Sequence, residues 1–192
     1  MTKADSALSR LLEGNERFRT TGSGLQPYTA AHLHELAIEQ VPFAAIIACS
    51  DSRVSPEIIF DQPLGALFVS RVPANVASDG TKWMIDLAVG SFQVPLVLVL
   101  AHTGCLAVKQ IVENKPGPGG SLRDRVHAAM HHVASGEPET LYERTIVANA
   151  KKTCRDLLEE SSALEKAVKA GITEVRTALY DMETGRVLVQ DP

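Results

Sequence analysis

Phe43-Ala44-Ala45-Ile46-Ile47-Ala48 runs without a break into Cys49-Ser50-Asp51-Ser52-Arg53. A short, continuous apolar run that stops at a polar cluster is the pattern of a strand buried on both faces, its carboxyl end opening to solvent. Pro95-Leu96-Val97-Leu98-Val99-Leu100-Ala101 repeats the pattern and stops at His102-Thr103-Gly104-Cys105. In open α/β sheets, ligands bind at that edge. Two strands thus deliver Cys-x-Asp-x-Arg and His-x-x-Cys to the same side of a sheet. Two thiols and an imidazole suit zinc, with Asp51 or a water as the fourth ligand.

Working outward, residues 54–60 suit a short helix with Ser55 as cap and Pro56 in its first turn. Residues 66–72 form the next strand, ended by Pro73-Ala74-Asn75, and helices are expected over 81–92 and 105–113. Strand, helix and strand in alternation predict a parallel sheet. Ahead of the first strand, Leu8, Leu11, Leu12 and Phe18 make a helical stripe that Gly14-Asn15 interrupts. A loop over 20–27 follows, and Thr29 can cap a second helix reaching 39. Residues 115–120 are a glycine-rich loop, but no Gly-Lys-Ser/Thr follows to make it a phosphate cradle. Two or three helices fill 121–169 with a break near 136–138, and Gly171 closes the last. Residues 174–180 and 186–190 read as a terminal hairpin. The expected fold is a single α/β domain over 1–192. It has a mainly parallel central sheet flanked by helices, an N-terminal helical arm and a C-terminal β-hairpin.

The 192 residues suffice for one sizeable core. A formal charge of −4 argues against nucleic acid as a partner. No apolar run approaches the roughly 20 residues that span a bilayer, so no membrane partner is expected. The first six residues lack the apolar core of a signal peptide. Three cysteines, two of them in the motifs above, make no disulfide framework, which suggests a cytoplasmic protein.

Cys49-Ser50-Asp51-Ser52-Arg53 followed about fifty residues later by His102-Thr103-Gly104-Cys105 resembles the β-class carbonic anhydrases. Pro42-Phe43-Ala44-Ala45, residues 56–62 and residues 180–187 are similar to that family too, and the likeness runs from about Leu8 to Val189. It implies an enzyme that hydrates CO2 to bicarbonate at zinc held by Cys49, His102 and Cys105. It also implies a homodimer, or a multiple of one, paired through the N-terminal helices. Asp51 and Arg53, two apart on an extended segment, face the same way. Arg53 can hold the Asp51 carboxylate by paired hydrogen bonds. The family uses this aspartate to orient the attacking hydroxide or, in some members, as a fourth zinc ligand. Gln40 matches a family residue near the substrate cleft, and Phe68 matches an aromatic wall.

Three departures stand out. Leu106 occupies a position that is usually glycine, Ala74 stands in a turn that usually reads Ala-Gly-Asn, and no aromatic lies near Leu87. Leu106 is expected to crowd the cleft beside the zinc. Two other functions fit the same residues: a zinc hydrolase acting on CS2 or COS, and a catalytically weak zinc protein kept as an assembly subunit. A closed site that merely staples the fold fits them as well. His127 and His131 lack the glutamate of His-Glu-x-x-His and read as surface residues, and Cys154 reads as a helix-face thiol.

Overall fold

Five strands form one sheet in the order β2-β1-β3-β4-β5. They are β1 (Ala44–Ala48), β2 (Leu67–Arg71), β3 (Leu96–His102), β4 (Glu174–Tyr180) and β5 (Val187–Gln190). The first four in chain order pair in parallel, and β5 closes a hairpin antiparallel to β4. The computed structural model describes residues 1–22, 28–117, 120–133 and 138–190. Most of the expected 20–27 loop, the centre of the glycine-rich loop and the break near 136 lie outside them.

Every residue of β1 and β3 is buried, as their unbroken apolar sequences require. Successive side chains still alternate between two cores. Ala45, Ile47 and Cys49 of the first motif, with Val97, Val99 and Ala101 of β3, face one cluster that also holds Ile85, Val108, Ile146 and Leu157. These come from α4 (Asp79–Gly90), α5 (Leu106–Val112) and α7 (Pro138–Glu160). Ala44, Ile46 and Ala48, with Leu96, Leu98 and Leu100, face the other, closed by Leu11, Ile59 and Phe60. Leu11 belongs to α1 (Lys3–Thr21), and Ile59 ends the short α3 (Pro56–Ile59).

The remaining helices are α2 (Ala30–Ile38), α6 (Ser121–His131) and α8 (Ser162–Lys169). Thr29 caps α2 by accepting from His32 N–H, as expected, and Ser55 and Pro56 open α3. Gly171, at φ +68°, follows the end of α8. The stripe over 8–18 proves to be part of a longer helix. Thr2 and Asp5 form a reciprocal capping box at its start, and the chain stays helical through Gly14-Asn15. Those two residues are the docking point of α1. A Cβ at Gly14 would lie 1.8 Å from Phe60 O. Asn15 donates Nδ2 to Ile59 O (3.1 Å) and Gly185 O (2.9 Å), and its Oδ1 accepts from Val187 N–H (2.9 Å). α1 therefore packs on its own sheet rather than standing off as a free arm.

Candidate metal centre

β1 and β3 are neighbours, yet the chain reaches β2 on one side of β1 before crossing to β3 on the other. The carboxyl ends on either side of such a reversal leave a crevice between them. Ala48 pairs with Leu100, so the two polar motifs begin at nearly the same height. Cys49, His102 and Cys105 are all buried, and their ligand atoms lie within 4.8 Å of one another. The two sulfurs are 4.0 Å apart.

The donor chemistry fits a zinc ion. His102 Nδ1 is 2.9 Å from Thr103 O, an acceptor, so that nitrogen carries the proton. Nε2 is left with a lone pair, buried and without a hydrogen-bond partner among the described residues. A bound cation satisfies such an atom. The thiols make the same point. The Cys105 sulfur draws the Cys49 thiol well below its ordinary range, and the Cys49 sulfur pushes that of Cys105 well above it. Alone, only one of the pair ionises, and a shared positive charge between the sulfurs would let both do so.

Asp51 stands outside this cluster, taken up by Arg53. Arg53 Nε and Nη2 donate to its two oxygens at 2.9 and 2.8 Å, and Arg53 N–H adds a third bond at 3.0 Å. These hydrogen bonds hold the Asp51 carboxyl far below the usual carboxylate range, so it is charged at any physiological pH. Both Asp51 oxygens are engaged by Arg53, and Asp51 is not part of the Cys49, His102 and Cys105 group. Arg71 braces the same loop from β2, through Cys49 O at 3.2 Å and Asp51 O.

A cleft of about 460 Å³ opens over the cluster, with Asp51, Ser52 and Arg53 on one wall and Pro73, Leu106 and Ala107 on the other. Leu106 is 60% exposed, so within the chain it faces the cleft and does not fill the core. Gln40 and Phe68 do not line this cleft. Gln40 is exposed beyond α2, before β1 begins, which puts the length of that strand between it and Cys49. Phe68 is half-buried beside Ala45, near the start of β1, and meets Phe92 edge to face at 5.1 Å. Among the described residues no other metal-type cluster occurs, and His127 and His131 simply stack.

Sequence reading missed one residue at the centre. Tyr142, on α7, donates Oη to Cys105 O at 3.2 Å. Burial, and then the nearby Cys105, push its hydroxyl up to about 12, so it remains a donor. Thirty-seven residues separate it from its partner, and no local pattern marks it. A larger apolar cavity, about 690 Å³, lies behind the ligand loop, bordered by Thr103, Gly104, Tyr142, Ile146 and Leu179.

Fold and site together define a class: an α/β protein with a thiol–imidazole cluster at the reversal point of its sheet. A family model described as carbonic anhydrase matches residues 44–187. "Carbonic anhydrase 2" of Mycobacterium tuberculosis is 33% identical over 195 residues, covering 99% of this chain and 94% of that protein. A carbonic anhydrase of Mycolicibacterium smegmatis is 31% identical, covering 95% and 91%. The solved β-carbonic anhydrase CcaA superposes with a TM-score of 0.73 at 25% identity, covering 96% and 95%. A tetrameric β-carbonic anhydrase of Sordaria macrospora shares the fold with a TM-score of 0.74 at 20% identity, covering 98% and 95%. The chain belongs to the β-class carbonic anhydrase family.

Proposed function

We propose that this chain catalyses the reversible hydration of CO2 to bicarbonate at a zinc ion held by Cys49, His102 and Cys105. The observation that carries the reading is the buried, unpartnered His102 Nε2 beside two sulfurs 4.0 Å apart. Zinc bound there supplies a Lewis acid that brings deprotonation of water toward neutral pH. Asp51, ionised and held by Arg53, accepts a hydrogen bond from the attacking water and turns a lone pair toward the carbon of CO2. Arg53 keeps that carboxylate charged and fixed, and its bond to Gly104 O (3.3 Å) ties it to the opposite loop. Water adds to carbon, and the released proton passes to buffer. The apolar wall of Leu106, Pro73 and Ala107 suits an uncharged linear substrate.

The test is CO2 hydration measured on zinc-loaded protein, with metal content determined in parallel. One zinc per chain, lost in Cys105→Ser, and a rate that rises toward alkaline pH are expected. A Cys105→Ser protein that keeps its zinc refutes the ligand set. Sulfide release from CS2 by a chain that does not hydrate CO2 replaces the substrate.

The same reading makes the chain a homodimer or a multiple of one. Leu33 and Ile38 of α2, 50% and 75% exposed, and Val41 just beyond it, 75% exposed, leave an apolar surface uncovered. Gln40 and Phe68, remote from their own cleft, contribute to a cleft only if a second copy supplies them. The Sordaria relative is a tetramer. A chain that stays monomeric at all concentrations in light scattering overturns this assembly. Among the described residues no helix is long and apolar enough to cross a membrane. With three free cysteines, a reducing cytoplasm fits the chain best.

A further inference from the structure

Each carbonyl of residues 103–105 is held from a different direction. Thr103 O meets His102 Nδ1 within the loop, and Gly104 O accepts from Arg53 across the cleft. Cys105 O accepts twice, from Lys109 N–H at 3.0 Å inside α5 and from Tyr142 Oη at 3.2 Å on α7. A carbonyl with both lone pairs engaged fixes the plane of its peptide. That peptide joins Cys105 to Leu106 and carries the Cys105 Cα in its plane, so holding it limits where the sulfur on that Cα can sit.

α7 is itself anchored beside the cleft. Asn149, about two helical turns beyond Tyr142 and on the same face, donates Nδ2 to Ala74 O at 2.6 Å. Ala74 and Asn75 both hold left-handed φ values, +55° and +47°, which residues with a Cβ keep only when held there. Pro73 of that turn lines the cleft. Asn149 thus fixes α7 beside Pro73, and Tyr142 reaches from the same helix to the Cys105 carbonyl. Packing does not force the phenol onto its partner, because Tyr142 borders the large apolar cavity.

We infer that Tyr142 is a positioning residue for the metal centre, orienting the Cys105 sulfur through the Cys105 carbonyl from a helix that contributes no ligand. The inference rests on the zinc reading above. It does not make Tyr142 a catalytic residue.

Tyr142→Phe removes only the hydroxyl, and Thr145→Val is a matched control. Thr145 is fully buried on the same helix, and its hydroxyl bonds to Leu141 O within α7. Zinc release to a competing chelator should be about tenfold faster in Tyr142→Phe than in wild type, and unchanged in Thr145→Val. The thiolate-to-metal absorption band of cobalt-loaded protein should shift in the first variant only. kcat should fall with KM held. Release rates and cobalt spectra identical to wild type in Tyr142→Phe, whatever happens to its melting temperature, make the tyrosine a mere packing residue and overturn the inference. A wild-type chain that binds no zinc overturns the metal reading, and this inference with it, which is a separate result.

Discussion

Two helices precede the first strand, and they reverse what their sequences suggest. α1 carries a glycine and an asparagine in its middle, both poor helix formers, yet it is sealed against its own sheet. α2 is short, apolar and properly capped, yet none of its residues is buried. It touches the rest of the chain lightly. Leu64 N–H donates to Tyr28 Oη just ahead of the helix at 2.6 Å, and the Leu36 side chain lies over Gly65. The flaw in α1 is what permits close approach, since only a glycine lets the helix backbone meet Phe60 O. The good pattern in α2 has nothing of its own to bury against. A hydrophobic stripe shows which face wants covering, and it does not name the cover.

Substitutions can break this contrast. The largest effect is expected from Asn15→Ala, which strips three backbone groups, two of them buried, of their partners and should cost about 3 kcal/mol in denaturant unfolding. A loss below 1 kcal/mol would mean water replaces the side chain, and that α1 docks by apolar contact alone. Gly14→Ala comes next. It gains about 1 kcal/mol of helix propensity but collides with Phe60 O, for a net loss of about 2 kcal/mol. A stabilised variant would show that α1 can slide. At the end of α2 and just beyond it, Ile38→Ser with Val41→Ser should change the stability of the isolated chain by less than about 0.5 kcal/mol. The same pair should dissociate the assembly, as read by light scattering. Equal effects from both helices would erase the distinction.

The smallest effect concerns another uncovered apolar residue, Leu106. Leu106→Gly should raise the hydration rate at equal zinc content while costing about 0.5–1 kcal/mol, mostly in backbone entropy. Lower stability with no gain in rate would assign Leu106 to packing or to a subunit contact.

Much of the sheet was readable because β1 and β3 are continuous apolar runs ending in chemistry. Alternation with helices then led to parallel pairing, and the two motifs pointed to Cys49, His102 and Cys105 as a cluster. The Asp51–Arg53 pair was readable for the wrong reason: the segment is a turn and not extended, closed by Val54 N–H to Asp51 O at 3.1 Å, with Arg53 N–H also meeting the Asp51 carboxylate. The pairing of both Asp51 oxygens with Arg53 needed coordinates. Gln40 and Phe68 matched family positions, but a match does not specify which chain's cleft a residue serves. Tyr142 and Asn149 were invisible for a different reason. Each acts on a backbone carbonyl, and a carbonyl carries no residue identity for a motif to record.

The 4.0 Å approach of two buried sulfurs also governs how the protein ages. A cation bound between them would engage both sulfurs. Once it is stripped, a thiolate faces a thiol at contact distance, and a two-electron oxidant can join them into a disulfide. Storage life in air would then follow metal occupancy and not folding stability. Chelation followed by aerobic storage should leave Cys154 as the one thiol titratable after denaturation, where the fresh protein has three. A preparation that loses activity on the shelf while keeping its melting temperature would be one whose metal had left first.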